Sequence, residues 1–216
     1  MPVRKILPVT GEMYHVYNRS VMGTPIFQGK KEMDFFLAAA EYYMHDTPPV
    51  KFSLYRTKPQ AFSPLPTNKL ITVLAYCVMP NHFHFLFRQE IDSGIKALIW
   101  KATSSFAHYY GLKHKVHGHI FEGNFKVVHI ENNEQLLHVS RYIHLNPVTA
   151  HIVEHPEDYV YSSYAAYINR VVLSKFVDTA SILGQFRSRT RYKQFVEDQK
   201  EYQRDLSRMK HLFLGE

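Results

Sequence analysis

The chain has 216 residues, 45% of them hydrophobic, which is enough to bury a sizeable core in one domain with an appendage or in two small domains. Its 26 lysines and arginines outnumber its 19 aspartates and glutamates, and the sequence pI near 9.3 favours a polyanionic partner, nucleic acid before membrane surface. Cys77 is the only cysteine, excluding an internal disulfide and any multi-cysteine zinc motif, and no apolar run approaches the roughly 20 residues of a membrane-crossing helix.

Met13 to Asn18 alternates well enough to predict a first strand, with Arg19 after it. From Lys31 to Met44 the apolar positions Met33, Phe36, Leu37, Ala40 and Met44 keep a helical period. Asp46 to Asn68 is rich in proline and predicts a loop, with a short strand at Lys51 to Arg56. Lys69 to Met79 is a strand leading into the strand of His82 and His84, with Pro80-Asn81 as a break or bulge between them. A helix follows from Ser93 to Tyr110, capped by Asp92 or Ser93, and Lys126 to Ile130 is a last strand. Asn132 and Gln135 make a capping box for a helix from Glu134 to Leu145, which Pro147 is expected to end. Beyond Tyr159 to Tyr167, helical segments are expected at about 178–187 and 190–210. This order predicts an α+β sandwich in which helices cover one face of an antiparallel sheet.

Chemistry concentrates at two places. On a pleated strand residues i and i+2 share a face, so His82 and His84 could hold one ion while Phe83 and Phe85 anchor the reverse side in the core. Taken alone, the pair fits a hydrogen-bonding role as well as a metal site. In the later helix, four residues advance about 400°, so Asn146 lies about 40° around the axis from Tyr142. Leu136, Val139, Ser140 and Ile143 form the stripe that docks on the sheet, leaving Tyr142 and Asn146 at its edge, within reach of the histidines. Each also has an ordinary reading, Tyr142 as half-buried packing and Asn146 as a helix terminator.

The combination of Tyr76-Cys-Val-Met-Pro-Asn-His-Phe-His-Phe-Leu86 with Arg141-Tyr-Ile-His-Leu-Asn-Pro-Val148 resembles the IS200-like transposases, which are HUH single-strand endonucleases. The nearer likeness is to the REP-associated tyrosine transposases. Tyr14-His-Val-Tyr-Asn-Arg19, Gly118-His-Ile-Phe-Glu-Gly-Asn-Phe-Lys126 and Pro156-Glu-Asp-Tyr-Val-Tyr-Ser-Ser-Tyr164 support it, and the likeness covers roughly residues 10–170. One departure is Gly123-Asn124-Phe125, where the family usually has Gly-Arg-Phe.

The resemblance implies a ferredoxin-like catalytic domain over residues 1–172 and a C-terminal helical extension over 173–216. It implies that His82, His84 and the amide oxygen of Asn146 bind a divalent ion, Mg²⁺ or Mn²⁺, and that Tyr142 is the nucleophile; by helix geometry His138, four residues before Tyr142 on the same edge, could assist in taking its proton. The product would be a 5′-phosphotyrosine and a free 3′-hydroxyl. The expected partners are single-stranded DNA and DNA hairpins, with no membrane, for a monomer or homodimer in the cytoplasm, associated with the nucleoid. Arg19, Lys126 and Arg141 are the DNA-binding candidates, with Lys96, Lys101, Lys113, Lys115 and the cations of the tail as further ones. A palindrome-binding protein that does not cut, and a phosphohydrolase or RNA-binding protein with a structural Tyr142, are the competing readings.

Overall fold

The structure, a computed structural model, describes residues 7–168 and 176–200. Strands β1 (Met13–Arg19), β2 (Ile71–Met79), β3 (His82–Gln89) and β4 (Lys126–His129) form a four-stranded sheet in the order β2-β3-β1-β4. β1 and β4 pair antiparallel, with Tyr14 opposite His129 and Tyr17 opposite Lys126. β1 alternates, burying Tyr14, Val16 and Asn18. β2 instead reads as a nearly unbroken apolar run because it is buried on both faces, while β3 alternates at its start and is buried everywhere but at His82 and Arg88. Pro80-Asn81 is the tight turn between them, and the Pro80 carbonyl accepts from the backbone of Ile26 and Phe27. With α1 (Lys30–Tyr43), α2 (Phe52–Thr57), α3 (Gly94–His114), α4 (Asn133–Thr149), α5 (Tyr164–Tyr167), α6 (Ala180–Leu183) and α7 (Arg189–Glu197), the fold is the expected α+β arrangement.

The described residues group into two compact units. The first takes those up to Thr72, Pro80–Phe83 and Phe87–His129; the second takes Val73–Met79, His84–Leu86 and those from Ile130 onward. In the first unit, Phe27, Phe36, Phe83 and Phe106 make an aromatic core, the Phe27 and Phe106 rings stacked at 4.7 Å. α3 approaches so closely that a Cβ on Gly94 would lie 2.2 Å from the Leu70 carbonyl oxygen, so only glycine fits there. The buried Glu32 carboxylate joins α1 to the end of α3 by accepting from Lys113 and pairing with His114. Burial alone would raise its pKa, but those bonds hold it below the usual carboxylate value.

In the second unit the edge strand β2 is covered. Val78 N–H donates to the Tyr161 carbonyl, Ser163 N–H to that of Tyr76 and Asp178 N–H to that of Val73. Tyr159 Oη donates to the Val78 carbonyl at 2.7 Å and Tyr167 Oη to that of Leu74 at 2.5 Å. Residues 159–167 and Asp178 thus consume an edge that would otherwise be open to another chain.

Several expectations require correction. Lys51–Arg56 is not a strand: α2 forms there, and Phe52 packs against the rings of Phe35 and Tyr42, burial that outweighs local propensity. Pro147 does not end α4, which continues to Thr149; burial of Asn146, Pro147 and Val148 together stabilises the last turn despite the lost donor. α3 extends beyond Tyr110 to His114, and Ser93 at its start makes no side-chain cap. Instead the Asp92 carboxylate accepts from the Thr10 hydroxyl. Within 178–187 only Ala180–Leu183 is α-helical, and 190–210 is represented by Arg189–Glu197, its end falling outside the described residues. The domain boundary expected at 172/173 also lies outside them.

Candidate active site and metal ligands

β3 alternates as predicted. Phe83 and Phe85 are wholly buried, Phe83 against Phe36 and Phe85 against Tyr76, so His82 and His84 share the opposite face. The side chain of Asn81 orients His82. Its Nδ2 donates to the Gly23 carbonyl at 3.0 Å, fixing the amide, and its Oδ1 then lies 2.6 Å from His82 Nδ1. An amide oxygen can only accept, so the proton sits on Nδ1 and the lone pair on Nε2, the protonation that a metal-binding imidazole needs. Sequence reading took Pro80-Asn81 for a break or bulge, and only the adjacency of Asn81 to His82 hinted at more.

α4 opens with the expected cap: Asn132 accepts from Gln135 N–H at 2.8 Å, while Gln135 Oε1 reaches back to Glu131 N–H at 2.7 Å. From Ser140 to Val148 every side chain is buried except Tyr142, which is 41% exposed. The Tyr142 ring meets His84 edge-on, centroids 5.4 Å apart, within the second unit. His84 and Asn146 are 5% and 9% exposed. Among the described residues no group of three or more His, Cys, Asp or Glu is arranged for a metal ion. Asn146, one turn from Tyr142 on α4, carries a neutral amide oxygen.

α4 is held by a buried polar chain. His144 Nδ1 is 2.7 Å from Tyr192 Oη and its Nε2 is 2.8 Å from Ser163 Oγ. Tyr192 Oη donates to Ser140 Oγ at 3.2 Å, and Ser140 donates to the Leu137 carbonyl. One neutral tautomer satisfies every member, with Nδ1–H donating to Tyr192 and Nε2 accepting from Ser163. Burial lowers the His144 pKa to about 3 and raises that of Tyr192. Sequence reading missed this network because Tyr192 and Ser163 are distant in the chain.

The basic candidates divide. Arg19 and Lys126 are exposed, and strand alternation puts both on the face of Tyr17, whose ring stacks on His15 at 5.1 Å. Burial lowers the His15 pKa to about 4, so it is neutral at pH 7. The Arg19 guanidinium lies over Gly23, where φ is +65° and a Cβ would come within 2.7 Å of Nη2. Arg141 is only 8% exposed; its guanidinium covers the Phe195 ring at 4.3 Å and donates to His138 Nδ1 at 2.8 Å. That bond occupies His138, which also lies 3.9 Å from Glu134.

Residues 57–146 match the family model described as "Transposase IS200 like", a span that contains His82, His84, Tyr142 and Asn146. The strand motif Tyr76–Leu86 and the Arg141–Asn146 part of the helix motif both fall inside the matched span. The chain also shares its fold with the solved structure of a REP-associated tyrosine transposase bound to a REP hairpin, at 17% identity and a TM-score of 0.56, over 83% of this chain and 93% of that one. No curated protein matches the chain.

Proposed function

We propose that the protein is a divalent-metal-dependent endonuclease and strand transferase acting on single-stranded DNA at hairpin-associated sites, with Tyr142 as its nucleophile. The observation that carries this reading is Tyr142 itself, the one exposed side chain from Ser140 to Val148, with its ring against His84. His82, His84 and Asn146 would hold Mg²⁺ or Mn²⁺, which when bound polarises a scissile phosphate and orients it for in-line attack.

Tyr142 Oη attacks phosphorus, the bond to the 3′-oxygen breaks, and the tyrosine proton ends on that oxygen as a free 3′-hydroxyl. The 5′-phosphate stays on Tyr142 as a diester, so the same site can rejoin strands. Arg19 and Lys126 are proposed to contact phosphates. For Arg141 the same role requires its guanidinium to leave the Phe195 ring. Residues 1–172 are proposed as the catalytic domain and 173–216 as a helical extension, in a monomer or homodimer.

The test is incubation of the purified protein and Mn²⁺ with end-labelled, hairpin-bearing oligonucleotides. A protein–DNA adduct that disappears in Tyr142→Phe is the expected result. Binding without an adduct favours a palindrome-binding protein, and cleavage that survives the substitution makes Tyr142 structural.

A further inference from the structure

Within the first unit, α3 and the segment of residues 48–57 enclose a groove of about 950 Å³, remote in sequence from the proposed chemistry. On its α3 wall, Trp100, Ser104, His108 and Leu112 follow at i+4 intervals and all are exposed. Trp100, at 66% exposed, is the largest side chain of this stripe. Behind it lie the half-buried Lys101 and Tyr109.

The opposite wall supplies Lys51 and Arg56, and among the described residues no acidic side chain lines the groove. Two of its three cations are held on rings, Arg56 4.9 Å from the Phe35 centroid and Lys101 6.0 Å from that of Tyr43. None of the ion pairs among the described residues uses Lys51, Arg56 or Lys101. Cations without acid partners, beside an exposed indole, match a ligand that is anionic along its length and carries flat aromatic groups. An apolar peptide would cover the tryptophan but leave the cations uncompensated.

We propose that this groove is a second DNA contact, which binds single-stranded DNA with phosphates on Lys51, Arg56 and Lys101 and a base stacked on Trp100. A paired base is stacked within its duplex, so the groove selects unpaired strand beside a hairpin. The assignment rests on the reading that the protein acts on DNA, and it goes beyond it by naming a surface away from Tyr142.

Trp100 is the only tryptophan of the chain, so its fluorescence reports on this groove alone. The full-length protein is titrated with an oligothymidine of about 12 nucleotides, with an abasic strand of equal length, and with a fluorescein-labelled hairpin followed by anisotropy. The expected result is saturable quenching by the thymidine strand and much weaker quenching by the abasic one. Combined Lys51→Gln, Arg56→Gln and Lys101→Gln should weaken single-strand binding at least about tenfold and lower its log–log salt slope by about 2. Hairpin binding with silent Trp100 emission at saturating thymidine overturns this inference alone, as does a triple variant with unchanged affinity. Absence of all DNA binding overturns the proposed function with it.

Discussion

α3 buries Ile95, Leu98, Ile99, Ala102, Phe106 and Tyr110 along one side and leaves Trp100 and Leu112 at the surface, whereas α4 from Ser140 to Val148 buries every side chain except that of Tyr142. The two helices present an exposed ring by different means. α3 rests on an apolar stripe, with the buried polar tie from Glu32 to Lys113 and His114 confined to its last turn, so the outer face around Trp100 is unconstrained by packing. α4 adds the chain from Ser163 through His144 and Tyr192 to Ser140, whose directional bonds fix its rotation about its own axis. Hydrophobic contact tolerates small rotations, and buried hydrogen bonds do not. That difference suits a helix that must aim one hydroxyl, as against one that only offers a surface.

The sharpest break between the two is at the exposed ring of α4. Tyr142→Phe removes one oxygen and no packing, so adduct formation should fall by at least about 10³-fold with an unchanged unfolding midpoint. Activity retained to within about tenfold would end the assignment of the nucleophile. Next in size, Asn81→Ala releases the His82 ring and should weaken Mn²⁺ binding by about 10–100-fold, measured calorimetrically. An unchanged affinity would show that the Asn81 bond does not serve a metal.

Tyr192→Phe leaves donor and acceptor groups of His144 and Ser140 without their partner and should cost about 1–3 kcal/mol in urea unfolding. On α3, Trp100→Phe should change stability by less than about 0.5 kcal/mol, since the residue is exposed. Equal costs at the two positions would remove the contrast.

Acid tests the same polar chain gradually. His144 has a folded pKa of about 3 against 6.5 for the free side chain, so the unfolded chain takes up the proton first. The stability this neutral histidine contributes is complete above about pH 6.5 and declines as pH falls toward 3, by at most about 1.4 kcal/mol per unit. His144→Gln should flatten that slope, and an identical slope in the variant would assign the acid lability elsewhere.

Much of the candidate site's local geometry was legible because its parts obey short-range periodicities. Two-residue alternation placed His82 and His84 together on one face, with Phe83 and Phe85 behind them, and i+4 spacing placed Tyr142 beside Asn146. The cap at Asn132 was equally local. Arg141 was not legible: a cation next to Tyr142 reads as a phosphate contact, yet Phe195, 54 positions later, takes its guanidinium.

By itself, then, the sequence determined the four strands and the longer helices, the α+β class and the faces of β3 and α4, because these follow from steric periods of two and 3.6 residues. Tertiary structure decided what distant segments meet. Burial of Phe52 made α2 a helix, packing carried α4 past Pro147, and residues 161–163 and 177–178 sealed the edge of β2. It also set the lone exposed ring of Tyr142 against His84 and opened the groove beside Trp100. The physical reason is common to all of these: burial and hydrogen bonding between segments remote in the chain outweigh local propensities of less than about 1 kcal/mol per residue, and no window of sequence contains both partners.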